Sequence, residues 1–263
     1  MKITADIRFK GIFSLLFFFF SVLALDSNAQ GPKQKETIFD ESTVIYKESL
    51  FGGLTLHTNG YAAHFSYGKN KTAFKSRIYQ LDVTFMRHPK EVRSFNAFFE
   101  DSRSYVFGKL NSLFILRPTI GERVLKFDKI RPGGVAIGYS WRVGPAIGLA
   151  KPVYLEILVP DTPPFSRIVV ERYDPERHSF VDIYGRAGGL RGLNEIEFHP
   201  GIHAGFAVNF DYDPGREGLK GIELGVNVDY FPLGEVEIMA QTANTNLFVN
   251  LYVTLQFGKK FNR

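Results

Sequence analysis

The chain has 263 residues, with 32 basic and 27 acidic side chains, 26 Phe, 12 Tyr, 25 Gly and no Cys. The lack of cysteine excludes disulfide scaffolds, thiolate metal sites, iron–sulfur clusters and thiol nucleophiles. A hydrophobic share of 44% excludes both a disordered chain and a helical membrane bundle, and a scattered net charge of +5 argues against nucleic acid as a partner.

Lys2, Arg8 and Lys10 precede an apolar run from Gly11 to Leu25, and Ser27 and Ala29 are small residues at the −3 and −1 positions. This pattern predicts a secretory signal peptide over residues 1–29, cut before Gln30. The run is shorter than the roughly 20 apolar residues a spanning helix needs. Residues 30–47 read as a periplasmic N-terminal segment, and residues 48–263 as one folded domain.

That domain alternates apolar and polar residues with a period of two, the pattern of strands with two unlike faces. Eight strands are expected, near 49–58, 61–68, 76–87, 108–118, 133–157, 201–212, 219–231 and 246–258. In the last, Leu247, Val249, Leu251, Val253, Leu255 and Phe257 share one face, while Asn250, Tyr252, Thr254 and Gln256 share the other. The second faces are rich in Gly, Ala, Ser, Asn and single charges, as expected where space is tight and polar groups must pair. The first faces are large and often aromatic, as expected against lipid tails. Tyr61, Tyr67, Tyr79, Trp141, Tyr212 and Tyr230 suit interfacial girdles. Long connections at 88–104, 158–200 and 232–245 alternate with short ones at 68–75 and 213–219. That asymmetry predicts an all-β, eight-stranded antiparallel transmembrane β-barrel with a long external loop near 158–200.

The chain resembles the outer-membrane β-barrel proteins of Bacteroidota, in particular their uncharacterised exported members. Leu56–Gly60, His88–Glu91, Tyr105–Leu110, Gly148–Ile157, Tyr173–Pro175, Ile183–Arg186 and Leu251–Lys260 carry the likeness. It implies residence in the outer membrane among lipid and lipopolysaccharide, after insertion by the barrel-assembly machinery. It supplies no catalytic residues. Many such barrels end on an aromatic residue, whereas this chain ends Phe261-Asn262-Arg263, so the insertion signal is expected slightly inside the terminus.

An eight-stranded barrel is only wide enough for side chains to fill it. The candidate lumen network is His64, Asp82, Arg117, Arg142, His203, Asp211, Glu223 and Asp229. Buried charges survive only when paired, so these predict a plugged barrel, with a narrow ion or proton path as the competing reading. Glu195, Glu197, His199 and His203 are of ligand-capable types. Pro200 and Gly201 oppose the helix that would make the histidines converge, so they read as a loop-to-strand junction. No metal or cofactor is expected.

Two other classes remain open. A lipid-modifying acyl hydrolase would use a Ser–His pair such as Ser66 with His57 or His64, although alternation turns His64 and Ser66 inward and no Gly-x-Ser-x-Gly elbow occurs. A soluble lipocalin-like binder would show a polar outside and an open cavity. Residues 185–192, Gly-rich with Arg186 and Arg191, read as a flexible loop that could meet an anionic glycan. Lys90, Arg93, Arg103 and Arg186 are basic residues spread over the long loops. The favoured reading is a non-enzymatic barrel whose external loops contact an envelope protein or glycan.

Overall fold

The computed structural model describes residues 46–96, 98–99, 101–129, 134–160, 166–212 and 218–261. The expected signal peptide and most of the segment after it lie outside the described residues.

The described strands, in chain order, are β1 (Glu48–His57), β2 (Gly60–Thr72), β3 (Lys75–Met86), β4 (Arg93–Ser94), β5 (Tyr105–Val106), β6 (Asn111–Phe127), β7 (Ala136–Pro152), β8 (Tyr154–Pro160), β9 (Ser166–Arg172), β10 (Ile183–Arg186), β11 (Glu197–Asp211), β12 (Gly218–Tyr230) and β13 (Leu247–Phe261). Eight of them close into a barrel in the order β1-β13-β12-β11-β7-β6-β3-β2. Every neighbouring pair is antiparallel, and the seam is closed by β1 on β13, from Glu48 opposite Phe261 to His57 opposite Tyr252. Closure gives each spanning strand two partners, so the wall presents no free edge.

The two faces separate as the alternation requires. Leu54, Leu56, Phe65, Phe206, Leu251 and Phe257 stand exposed on the outside, while Ser66, Thr84, Ser140, Glu223, Asp229 and Thr254 are buried within. A wall of this kind, apolar outside and polar within, suits lipid around a filled lumen. Tyr67 stacks on Tyr79 toward the short-connection end, with ring centroids 6.5 Å apart. Tyr61 packs on Phe85 near the other end, where the Arg87 guanidinium lies over both rings.

Several strand boundaries differ from expectation: β2 runs on to Thr72 and β11 starts at Glu197, and two further differences have a clear physical reason. The fourth strand, expected to stop at Pro118, continues to Phe127. Extrapolating the β6–β7 register sets Pro118 opposite Pro145, and ladder pairs are absent between Leu116↔Ile147 and Ile120↔Val143. A proline has no amide to give to a ladder, so two of them share one interruption and the strand resumes beyond it. The fifth strand leaves the barrel at Pro152 and continues as β8 after the single residue Val153.

Residues 158–200 are not a structureless loop. β8, β9 and β10 form a three-stranded sheet in the order β10-β8-β9. Tyr105, Leu155, Ile157, Tyr173 and Ile183 are buried together there, so this head has its own small core. The expected flexible stretch at 185–192 is tied down, because Lys151 Nζ donates to the carbonyls of Gly189 and Arg191 at 3.0 Å each.

Candidate functional site: the lumen and the head

The lumen is filled in two layers of opposite character. Toward the head the filling is apolar. Leu113 and Ile115 of β6 are both 0% exposed and pack with Met86, Phe231 and Phe248. This explains why residues 113–116 are apolar on both faces, since one face meets lipid and the other meets a plug. Val236, Ile238 and Met239, from the connection between β12 and β13, complete that cluster. Leu110 donates its amide to the Ile238 carbonyl, and Asn111 Nδ2 donates to the Glu237 carbonyl at 2.8 Å. Asn244 braces the turn, accepting from the amides of Ile238 and Met239 and donating to the Met239 carbonyl.

Below this plug the filling is charged. Arg142 on β7 donates from Nη2 to Glu223 Oε1 on β12 at 2.7 Å and to the Tyr252 hydroxyl on β13 at 2.6 Å. Tyr252 in turn donates to Glu223 Oε1 at 2.6 Å, and Gln256 Nε2 donates to Oε2 at 2.7 Å. Arg123 on β6 lies 3.5 Å from Glu223 and donates to Gln256 Oε1 at 2.8 Å. In strand order β6 and β13 are diametrically opposite, so that bond crosses the whole lumen. A second group lies beside it. Arg117 donates to Asp229 Oδ2 at 2.6 Å and to the Thr84 hydroxyl at 2.8 Å. The other Asp229 oxygen sits 2.8 Å from His203 Nδ1.

The remaining expected lumen residues occupy other positions. Asp82 accepts from Gln80 Nε2 at 2.8 Å, and Gln80 Oε1 accepts from Ser66 at 3.0 Å. His64 is buried, with its ring edge-on to Phe51. Asp211 stands apart from the central groups, half-buried near the short-connection end, with Lys129 at 3.3 Å and Lys260 at 3.4 Å. Arg123, Tyr252, Gln256 and Gln80 belong to the network but escaped prediction as partners. Arg123 lies beyond Pro118, where the sequence pattern predicts the end of the strand. The others lie on the inward face, but one strand's alternation does not reveal which cross-barrel neighbour each will meet. Within the charged layer remains a cavity of about 10 Å³, bordered by His57, His64, Arg142, Glu223 and Tyr252 among others, room for roughly one water.

Close packing fixes the Tyr252 hydroxyl. A Cβ added at Gly225 would lie 2.6 Å from that oxygen. Gly225→Ala is therefore expected to displace Tyr252 from Glu223 and destabilise the barrel by about 1–3 kcal/mol, read as a lower urea midpoint in micelles.

The other candidates are dispersed. His199 and His203 lie four positions apart on one strand, about 13 Å at the usual rise. Glu195 accepts from the Tyr154 hydroxyl at 2.6 Å, and Glu197 lies 3.5 Å from Arg172. No group of three potential ligands could hold a metal among the described residues. His64 and Ser66 both turn into the lumen, away from the lipid that an acyl hydrolase would attack.

The head supplies the exposed chemistry. Phe95, Phe98 and Phe180 project from it, Phe98 at 87% exposure. Phe99 packs on Tyr184 with centroids 5.0 Å apart, and Phe107 lies edge-on to Phe180 at 5.7 Å. Arg93 sits on β4, and the amide of Arg186 on β10 donates to the Arg103 carbonyl. Beneath them Lys109 Nζ donates to both oxygens of Glu91 at 2.8 Å. Burial lowers the Lys109 pKa, while the bonded Glu91 carboxylate pulls it back up.

No protein-family model matches the chain, and no curated protein matches it in sequence. Several solved structures are similar in shape. Neisserial surface protein A is 10% identical, with 81% of this chain and 95% of that one covered at a TM-score of 0.43. Ail, the attachment invasion locus protein of Yersinia pestis, is 12% identical, with 82% and 100% covered at 0.39. Ail in complex with the heparin analogue sucrose octasulfate is 9% identical, with the same coverage at 0.36. Closed, filled and walled with lipid-facing side chains, the chain is an integral barrel of the outer membrane.

Proposed function

We propose that the protein is a non-conducting, non-catalytic barrel that holds a binding head at the cell surface. The carrying observation is the contrast between its two ends. The lumen is blocked by an apolar plug over a paired charge network, while the head leaves Phe95, Phe98 and Phe180 uncovered. Exposed aromatic groups of this kind mark surfaces that engage another molecule. The partner is an envelope or surface protein or a glycan, met through stacking on these rings, with Arg93, Arg103 and Arg186 available to anionic groups. Within this reading the leader is removed after Ala29, which the mass of the purified protein reads. Kinship with the exported barrels of Bacteroidota rests on the sequence motifs alone.

In planar bilayers the purified protein is expected to show no unitary conductance, and a stable channel would overturn the plugged lumen. Cells displaying the triple variant Phe95→Ser/Phe98→Ser/Phe180→Ser are expected to adhere at least about tenfold less to the protein- or glycan-coated surface that wild type binds. Equal adherence of the two would overturn the aromatic surface as the binding site.

A further inference from the structure

The barrel removes its own edges, but among the described residues the three-stranded sheet of the head leaves β9 with an open one. On its far side β10 is covered, because the Ile183 carbonyl accepts from Asn96 Nδ2 at 2.9 Å and the Arg186 amide donates to the Arg103 carbonyl. β9 pairs with β8 and, among the described residues, with no other strand. Its ladder with β8 runs from Tyr154 opposite Arg172 to Pro160 opposite Ser166 without a bulge. The Tyr173 amide donates to the Val153 carbonyl on the β8 side, while on β8 the Leu158 amide donates to Asp182 on the β10 side. Backbone groups alternate sides along a strand. Glu171, Val169 and Arg167 therefore address β8, and Ile168, Val170 and Arg172 turn their N–H and C=O groups to the open side. An unbulged edge of this length, without proline in its interior, is a template for another strand.

The sequence of β9 indicates which strand. Arg167-Ile168-Val169-Val170-Glu171 is complementary to itself when reversed. Set antiparallel to a second copy about Val169, the open-side residues meet as Ile168 with Val170 and Val170 with Ile168, exchanging backbone hydrogen bonds. On the other face Arg167 meets Glu171 on both sides of a central Val169–Val169 pair. Opposite charges directly across a ladder are favourable and like charges unfavourable. A register shifted by two residues in either direction sets Arg167 or Glu171 opposite Val169 and so loses both charge pairs. Ile168 and Val170, both exposed in the single chain, would each gain an apolar neighbour.

We propose that β9 is a self-association edge, through which two copies of this chain join their heads into one six-stranded sheet. The test uses the absence of cysteine from the natural sequence. The Val169 pair is a non-hydrogen-bonded pair, with Cα atoms about 4.5 Å apart, within the range a disulfide spans. Val169→Cys in detergent-solubilised full-length protein is expected to give a disulfide-linked dimer under mild oxidation. Ile168→Cys, whose copies sit on a diagonal, is expected to give at least about tenfold less. Arg167→Glu should abolish the Val169→Cys cross-link, and Arg167→Glu/Glu171→Arg should restore it. A heat-modifiable gel shift shows that each variant is folded. Equal cross-linking at 168 and 169, or no rescue by the charge swap in folded protein, would overturn the proposal. A partner protein adding its own strand to the edge would leave purified Val169→Cys monomeric, which also overturns it.

Discussion

Glu223→Ala is expected to lower the stability of the barrel by about 3–5 kcal/mol, the usual cost of removing one partner from a buried charge pair. Glu223 is 1% exposed and accepts from Arg142, Tyr252 and Gln256, with Arg123 also within 3.5 Å. Deleting its carboxylate leaves two guanidinium groups in a lumen with room for about one water. Most of the loss therefore comes from stranded positive charge, and less from the missing attraction. Glu223→Gln, which keeps an accepting oxygen and the shape but not the charge, should fall between wild type and alanine. Urea unfolding in micelles, followed by the heat-modifiable gel shift, reads both. An alanine variant within 1 kcal/mol of wild type would show that water enters the lumen freely and that the pairs are not buried in solution.

Phe231→Ala is expected to cost about 3–5 kcal/mol by removing the centre of the apolar plug. Its ring packs edge-on to Phe248 with centroids 5.9 Å apart. It also fills the space over Gly148 and Gly201, where an added Cβ would lie within about 3.0 Å of the ring. Glycine on two wall strands lets the ring approach the backbone, so truncation leaves a void that neither strand can close with a side chain. The loss should appear as a lower urea midpoint with the barrel still closed. Bilayer recordings should remain silent, because the charged layer below still blocks the path. A variant as stable as wild type would mean that the plug is loosely packed and the connection between β12 and β13 carries little of the fold.

How much of this was legible depended on whether the information lay within one strand. Alternation in β11, β12 and β13 separates lipid-facing from inward residues without help from the rest of the chain. The same rule turned His64, Asp82 and Glu223 inward, and the structure buries them there. It fails at Pro118, because a proline inside a strand normally signals an edge or an end. Here the interruption falls opposite Pro145 on the neighbouring strand. It fails again in the head, where Tyr154–Pro160 and Ser166–Arg172 are strands too short for a strong periodic signal. Val236, Ile238 and Met239 carried no warning of a plug, since three apolar residues in a polar connection do not reveal where the connection folds. The pairing of Arg123 with Gln256 lies across the barrel diameter, so it depends on closure and on the register of all the intervening strands.

The join between wall and head has a mechanical consequence. β7 and β8 are separated by Val153 alone, and that residue's amide still donates to the Leu110 carbonyl. A pull on the head through this connection therefore reaches β7 across a single intervening residue. β7 is bonded to β6 on one side and β11 on the other, so the load spreads over two ladders sheared lengthwise and does not peel bonds one at a time. In the binding role proposed above, a join of this kind would carry load without a flexible stalk, and attachment should fail at the bound partner before the barrel gives way.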